Sequence, residues 1–193
     1  MSVAPWRGAI NSALHRNRSL VYSRYVQLAT IRGDNRPANR TVVFRGFVED
    51  TNQLKFITDI RSEKVAHIQQ QPYAEVCWYF PNTREQFRIT GSLTLVSKDD
   101  PNPALQQARI TMWQELSDTA RLQFAWPHPG KPREESAAFE PPPPDATKPL
   151  PNFCLLLLDP VQVDHLQLRG EPQNRYIYSR DEVQEWTVEA VNP

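Results

Sequence analysis

The sequence predicts a mainly β fold with a few short helices: an antiparallel barrel of six to eight strands in one domain spanning residues 1–193. Three observations carry this. Runs rich in β-branched and aromatic residues recur from Tyr25 to the C-terminal end, each closed by a polar turn cluster. Helical spacing is confined to brief stretches. A chain of 193 residues is long enough to bury one substantial core without disulfides or metals, so no second globular unit is expected.

Residues Pro5 to His15 place Trp6, Ile10 and Leu14 at steps of four behind a proline suited to a first helical turn, which predicts a short N-terminal helix. YVQLATI from Tyr25, TVVFRGFVE from Thr41 and LKFITDI from Leu54 predict three successive antiparallel strands. Ser62 is placed to cap a helix running to the stop at Pro72, with Val65 and Ile68 on one face. Tyr73 to Phe80 and Gln86 to Val96 predict two more strands, turned by PNTRE. Asn102 to Phe124 returns to helical spacing as two short helices. NFCLLLLDP, VQVDHLQL, RYIYSR and WTVEAV restore strand character at the end.

Between Pro127 and Pro151 lies HPGKPREESAAFEPPPPDATKPL, a proline-rich stretch suited to neither sheet nor helix. It is expected to be an exposed, mobile loop of partly polyproline character, with a lid over a site as the alternative.

Composition narrows the function classes. Basic and acidic side chains balance at 22 each, and the basic residues form no stripe with interleaved aromatics, so neither nucleic acid nor an anionic membrane is the expected partner. The two cysteines, Cys77 and Cys154, lie in apolar runs and read as small buried hydrophobes. With four scattered histidines they make no zinc-type spacing. The first residues lack the apolar core of a signal peptide, and the longest apolar run elsewhere is Phe153 to Leu158; a soluble, cytoplasmic protein is expected.

An anion site must therefore be built locally, and two segments can build one. In RTVVFR, Arg40 and Arg45 are five apart, which puts them on opposite faces of a regular strand unless a bulge or bend intervenes. In TDIRSEK, Thr58, Ser62 and Lys64 surround a strand-to-helix turn, where unpaired N–H groups and the helix dipole already favour a phosphate.

RTVVFR, then FITDIRSEK, then a short helix to Pro72, a strand, and REQFRITG resemble in order the FMN-binding half of the pyridoxamine 5′-phosphate oxidase superfamily. HLQLRGEPQNRYIYSR resembles its C-terminal segment, so the likeness covers roughly residues 21–98 and 150–193. It implies a split β-barrel that forms a homodimer with FMN in clefts at the subunit interface. It also implies cofactor-binding roles for Arg40, Thr41, Val42, Val43, Arg45, Thr58, Ser62, Lys64, Gln86 and Arg175. Arg40 and Lys64 match residues near the FMN phosphate, Arg45 and Gln86 residues near the polar side of the flavin, and Thr58 and Ser62 residues near the phosphate and ribityl chain.

Departures are concentrated on the substrate side. Glu63 stands where the oxidases carry a second basic residue, leaving Arg61 as another candidate for the phosphate, and Ile57 where they carry tyrosine. Glu171, Pro172 and Gln173 replace an Arg-x-His motif; Trp113, Ser117 and Arg121 fall near the vitamer-phosphate positions; His165 occupies the place of an FMN-stacking tryptophan. Trp113, Phe124 and Trp126 read first as core or dimer packing and second as a flavin or substrate platform. The expected function is a flavin-dependent oxidoreductase of unknown small-molecule substrate, with no catalytic residue assigned. Authentic pyridoxamine 5′-phosphate oxidation and a non-catalytic flavin-binding interaction module are the alternatives.

Overall fold

The computed structural model describes residues 3–193. Helix α1 (Pro5–Arg16) has Pro5 in its first turn and buries Trp6, Ile10 and Ala13 against the barrel. Strands β1 (Tyr25–Ile31), β2 (Pro37–Val43) and β3 (Leu54–Asp59) lead into α2 (Glu63–Gln70). Then follow β4 (Tyr73–Phe80), β5 (Glu85–Val96), α3 (Pro103–Gln114), α4 (Asp118–Leu122), β6 (Phe153–Gln167), β7 (Asn174–Arg180) and β8 (Trp186–Val191). The eight strands pair antiparallel in the order β2-β1-β4-β5-β6-β7-β8, with β3 attached to β6. This is the mainly β, helix-decorated barrel that the sequence predicts.

Three departures position the site. The first is that β3 does not extend a β1–β2–β3 meander; it pairs with β6 from Leu54↔Leu158 to Asp59↔Phe153. The second is the cause: β2 stops at Val43 rather than running to Glu49. Phe44 turns into the core, and Gly46 takes φ +113°, a left-handed bend that favours glycine. The outer edge of β2 is thereby left without a strand partner among the described residues, and a cleft opens between it and the end of β3.

The third is that NFCLLLLDP and VQVDHLQL form one strand of 15 residues, β6. Pro160 is accommodated where the β5–β6 register shifts at Thr90/Gly91. A Cβ on Gly91 would sit 2.2 Å from the Asp159 carbonyl oxygen, so only glycine fits there. The first half of β6 is buried on both faces. Leu156 and Leu158 join the barrel interior with Val26, Leu28, Val76, Trp78 and Phe87. Leu155 and Leu157 face a second cluster with Trp113, Leu116, Phe124 and Phe153, which docks α3 and α4. Double-sided burial explains why this run shows no alternation. At about 1.5–3 kcal/mol for each fully buried large apolar side chain, it is a principal source of stability.

Cys77 is half-buried and Cys154 buried, both as free thiols. Burial pushes the Cys154 thiol up to about 11. Among the described residues no helix is long and apolar enough to cross a membrane, and no cluster of metal-ligating side chains occurs.

Candidate functional site

The cleft between β2 and β3 holds a cavity of about 730 Å³, within the range of roughly 300–1,000 Å³ typical of ligand and cofactor sites. Its walls come from Tyr25, Thr41–Val43 and Arg45, from Ile57–Asp59, Arg61, Ser62 and Lys64, from the end of α4, and from the Trp126–Glu134 segment with Phe139.

One end is cationic. The sequence folds here as a β3–α2 turn in which Ser62 occupies the helix-capping position, yet its hydroxyl makes no cap hydrogen bond. Instead it accepts from Lys64 Nζ at 2.7 Å, and Thr58 Oγ1 accepts from the same ammonium at 3.0 Å. Burial, then the charge of Arg40, lowers the Lys64 pKa from its ordinary value, with Asp59 opposing. A half-buried ammonium held by hydroxyls rather than a carboxylate is poised for an anion.

Arg45 points into the same cavity. Its Nε is buried without a hydrogen-bond partner, and burial depresses its guanidinium pKa, Tyr25 opposing. The edge of β2 at Thr41, Val42 and Val43 lines the cavity beside it, a strand edge not used by another strand.

Arg40 is not among the cavity-lining residues. It donates to the Leu28 carbonyl at 3.1 Å and to Thr30 Oγ1 at 2.7 Å, close enough for its charge to act on Lys64. The bend after Val43 resolves the parity problem of Arg40 and Arg45, since the latter lies beyond the strand. Arg61 lines the cavity, but its guanidinium is taken by Asp59 at 2.9 and 2.7 Å and by the carbonyls of Trp126 and Phe124. It fastens the loop rather than standing free for a phosphate.

Gln86 and Arg175 lie elsewhere in this chain. They share one row on the outer sheet face through the pairs Gln86↔Leu166 and Leu166↔Arg175. Arg175 donates to Asp164 at 3.0 and 2.8 Å, with Arg88 on the same carboxylate. This face also carries Tyr25, Tyr73 and Tyr79, 46%, 62% and 47% exposed.

The oxidase-like substrate positions are committed to structure. The Trp113 indole donates to the Asp145 carbonyl at 2.9 Å, Ser117 caps α4, and Arg121 ties down the carbonyls of Trp113, Gln114 and Leu116. His165 is buried in the barrel, stacked on Phe87 at 4.0 Å with Nε2 2.9 Å from Glu85. Trp113 and Phe124 belong to the second core, as packing predicts; Trp126 does not, and lines the cavity. Sequence reasoning missed Tyr25 and Phe139, and gave Trp126 as a platform and the loop as a lid only as alternative readings. An aromatic, Phe139, set within a proline-rich stretch that follows Trp126 was the available signal.

Residues 3–97 match the family of the pyridoxamine 5′-phosphate oxidase FMN-binding domain. Over 194 aligned residues the chain is 39% identical to pyridoxine/pyridoxamine 5′-phosphate oxidase 2 of Arabidopsis thaliana, covering 99% of this chain and 98% of that protein. A pyridoxine/pyridoxamine 5′-phosphate oxidase of Acinetobacter baumannii is 32% identical over 93 residues, 48% of this chain and 41% of that protein. The crystal structure of a pyridoxamine 5′-phosphate oxidase-related, FMN-binding protein from Nostoc punctiforme superposes with TM-score 0.98 at 73% identity, covering both chains completely. The fold, the matched domain and the full-length relatives agree: the chain belongs to the pyridoxamine 5′-phosphate oxidase-like, FMN-binding split-barrel superfamily.

Proposed function

We propose that this protein is an FMN-dependent oxidoreductase acting on a small molecule, and that it works as a homodimer with a cofactor in each interface cleft. The observation that carries the reading is the pairing, in one cavity, of a hydroxyl-held, half-buried Lys64 with an Arg45 whose buried Nε lacks a partner. The donor set fits FMN. Lys64, Ser62 and Thr58 would hold the phosphate at the start of α2, with the Arg40 charge behind them. The backbone edge at Thr41–Val43 and the Arg45 guanidinium would meet the carbonyls and ring nitrogens of the flavin's polar side. The outer-face row supplies what the cleft lacks: the partner subunit's Gln86 and the partner subunit's Arg175 would complete each site, which requires the tyrosine-bearing faces to meet.

FMN supplies the hydride and electron transfer itself when bound. The chain's part is to fix the cofactor, to place positive charge beside the flavin edge and to shut water out of the cleft. Titration of FMN into purified protein, followed by extraction and identification of the flavin, tests the reading. Saturation near one FMN per chain is expected; a colourless protein that takes up none removes the proposal.

Pyridoxamine 5′-phosphate oxidation is the second reading, favoured by the 39% identity to the Arabidopsis relative. Against it stand the internal bonds of Trp113, Ser117 and Arg121 and the sequence Glu171-Pro172-Gln173. Direct assay of pyridoxal 5′-phosphate formation decides, and no activity above background is expected.

A further inference from the structure

We propose that the segment from Trp126 to Phe139 is the substrate wall of the cavity and selects a flat molecule carrying a carboxylate, a task that α3 and α4 are not free to perform. The inference rests on the FMN reading above and concerns the space that cofactor leaves.

Three observations point the same way. Trp126 Nε1 is buried and lacks a hydrogen-bond partner, although its ring borders the cavity. A buried N–H without an acceptor is unfavourable, and an acceptor on a ligand relieves it. The Trp126 ring meets Phe139 edge-on at 5.9 Å, and the Arg133 guanidinium lies over Phe139, 4.7 Å from its centroid. Donor, apolar face and cation thus follow one another along a single wall.

That wall is fastened before any ligand arrives. Arg61, clamped by Asp59, donates to the Trp126 carbonyl at 3.1 Å; Asn152 donates to the Phe124 carbonyl at 3.3 Å; Trp113 donates to the Asp145 carbonyl farther along the loop. A held wall selects shape without ordering a loop at each binding event.

Its charge selects sign. Of this segment's residues that line the cavity, Lys131 and Arg133 are cationic and Glu134 anionic, while Glu135 beside them lies outside the lining, so the face turned to the cavity is net positive. A carboxylate suits this set because the planar guanidinium fork and one indole N–H match two in-plane oxygens. The compact ammonium site at Lys64 is already assigned to the cofactor phosphate. The apolar lining from Phe124, Trp126 and Phe139 favours an aromatic or conjugated body.

The test uses FMN-loaded protein titrated with 2-naphthoate and with the uncharged 2-naphthamide, read by perturbation of the bound flavin's visible spectrum. Naphthoate is expected to bind more tightly than naphthamide. W126F, which keeps an aromatic face in place of the indole and removes the N–H, should weaken naphthoate by about 10-fold while FMN affinity stays within about twofold. The K131Q/R133Q double variant, altered only at exposed rim side chains, should weaken naphthoate by about 3-fold or more at low salt and leave naphthamide unchanged. Absence of naphthoate binding to FMN-loaded wild-type protein overturns the proposal and leaves the cofactor reading standing. Equal loss of FMN affinity in W126F also overturns it, since Trp126 would then serve the cofactor. Failure of the wild-type protein to take up FMN removes the cofactor reading and the proposal together.

Discussion

Lys64→Met separates the phosphate from the rest of the cofactor. The ammonium is half-buried and bonded to Thr58 and Ser62, so part of its desolvation is already borne by the free protein and is not charged again when an anion arrives. A hydrogen bond to a charged group contributes roughly 1.5–3 kcal/mol. The expected loss of FMN affinity is therefore about 10- to 150-fold. Riboflavin, which keeps the ribityl chain but lacks the phosphate that Lys64 is placed to hold, should lose no more than about twofold. Quenching of flavin fluorescence on titration reads both constants in one instrument. The free variant should be about as stable as wild type, since losing two hydroxyl bonds is offset by removing a half-buried cation. A loss below about 3-fold for FMN, or equal losses for FMN and riboflavin, refutes the argument.

Further predictions use other parts of the structure. FMN affinity should rise as the phosphate gains its second charge near about pH 6, then fall as pH climbs through the Lys64 pKa, which burial and Arg40 hold below the ordinary 10.5; isothermal titration across this window shows both limbs. Arg61→Ala releases the carbonyls of Trp126 and Phe124, and should cost about 1–2 kcal/mol in urea unfolding while quickening proteolysis between residues 127 and 151. Burial raises the Glu85 and Asp164 carboxyls, but hydrogen bonds from His165 and Thr83, and from Arg175 and Arg88, outweigh it and hold both below their ordinary 4.5 and 3.8. Their contribution is full above those values and is lost as pH falls through the lower folded ones, so the urea midpoint should drop in acid and drop less in E85Q. Tyr79→Glu, on the exposed face, should yield monomers by light scattering and lose FMN affinity with the dimer; dimers of unchanged affinity would contradict the shared-site arrangement.

What the sequence revealed depended on how local the cause was. Strand alternation in YVQLATI and LKFITD, and the cap-to-proline frame of α2, depend on neighbouring residues and were read within a residue or two. The end of β2 was not, because the bend at Phe44–Gly46 is paid for by burial of Phe44 among distant aromatics. Nor was the β3–β6 pairing, which joins segments about a hundred residues apart in the chain. The LLLL run carried no period because both its faces are buried, and the continuity of β6 through Pro160 depends on Gly91 across the ladder. At the site, the grouping of Thr58, Ser62 and Lys64 was legible because all three flank one strand–helix turn, whereas Arg45 reaches the same cavity only through the bend after Val43, which the sequence left open. The competition for Arg61 by Asp59, and the inward facing of Trp126, arise only when the chain closes on itself.

The crystal structure of the FMN complex reaches the central claim most directly. Phosphate oxygens are expected about 2.7–2.9 Å from Lys64 Nζ, close to the hydroxyls of Ser62 and Thr58, with the flavin's polar edge against Arg45 and the Thr41–Val43 backbone. FMN seated outside the β2–β3 cleft, with Lys64 still bonded only to the two hydroxyls, would contradict it.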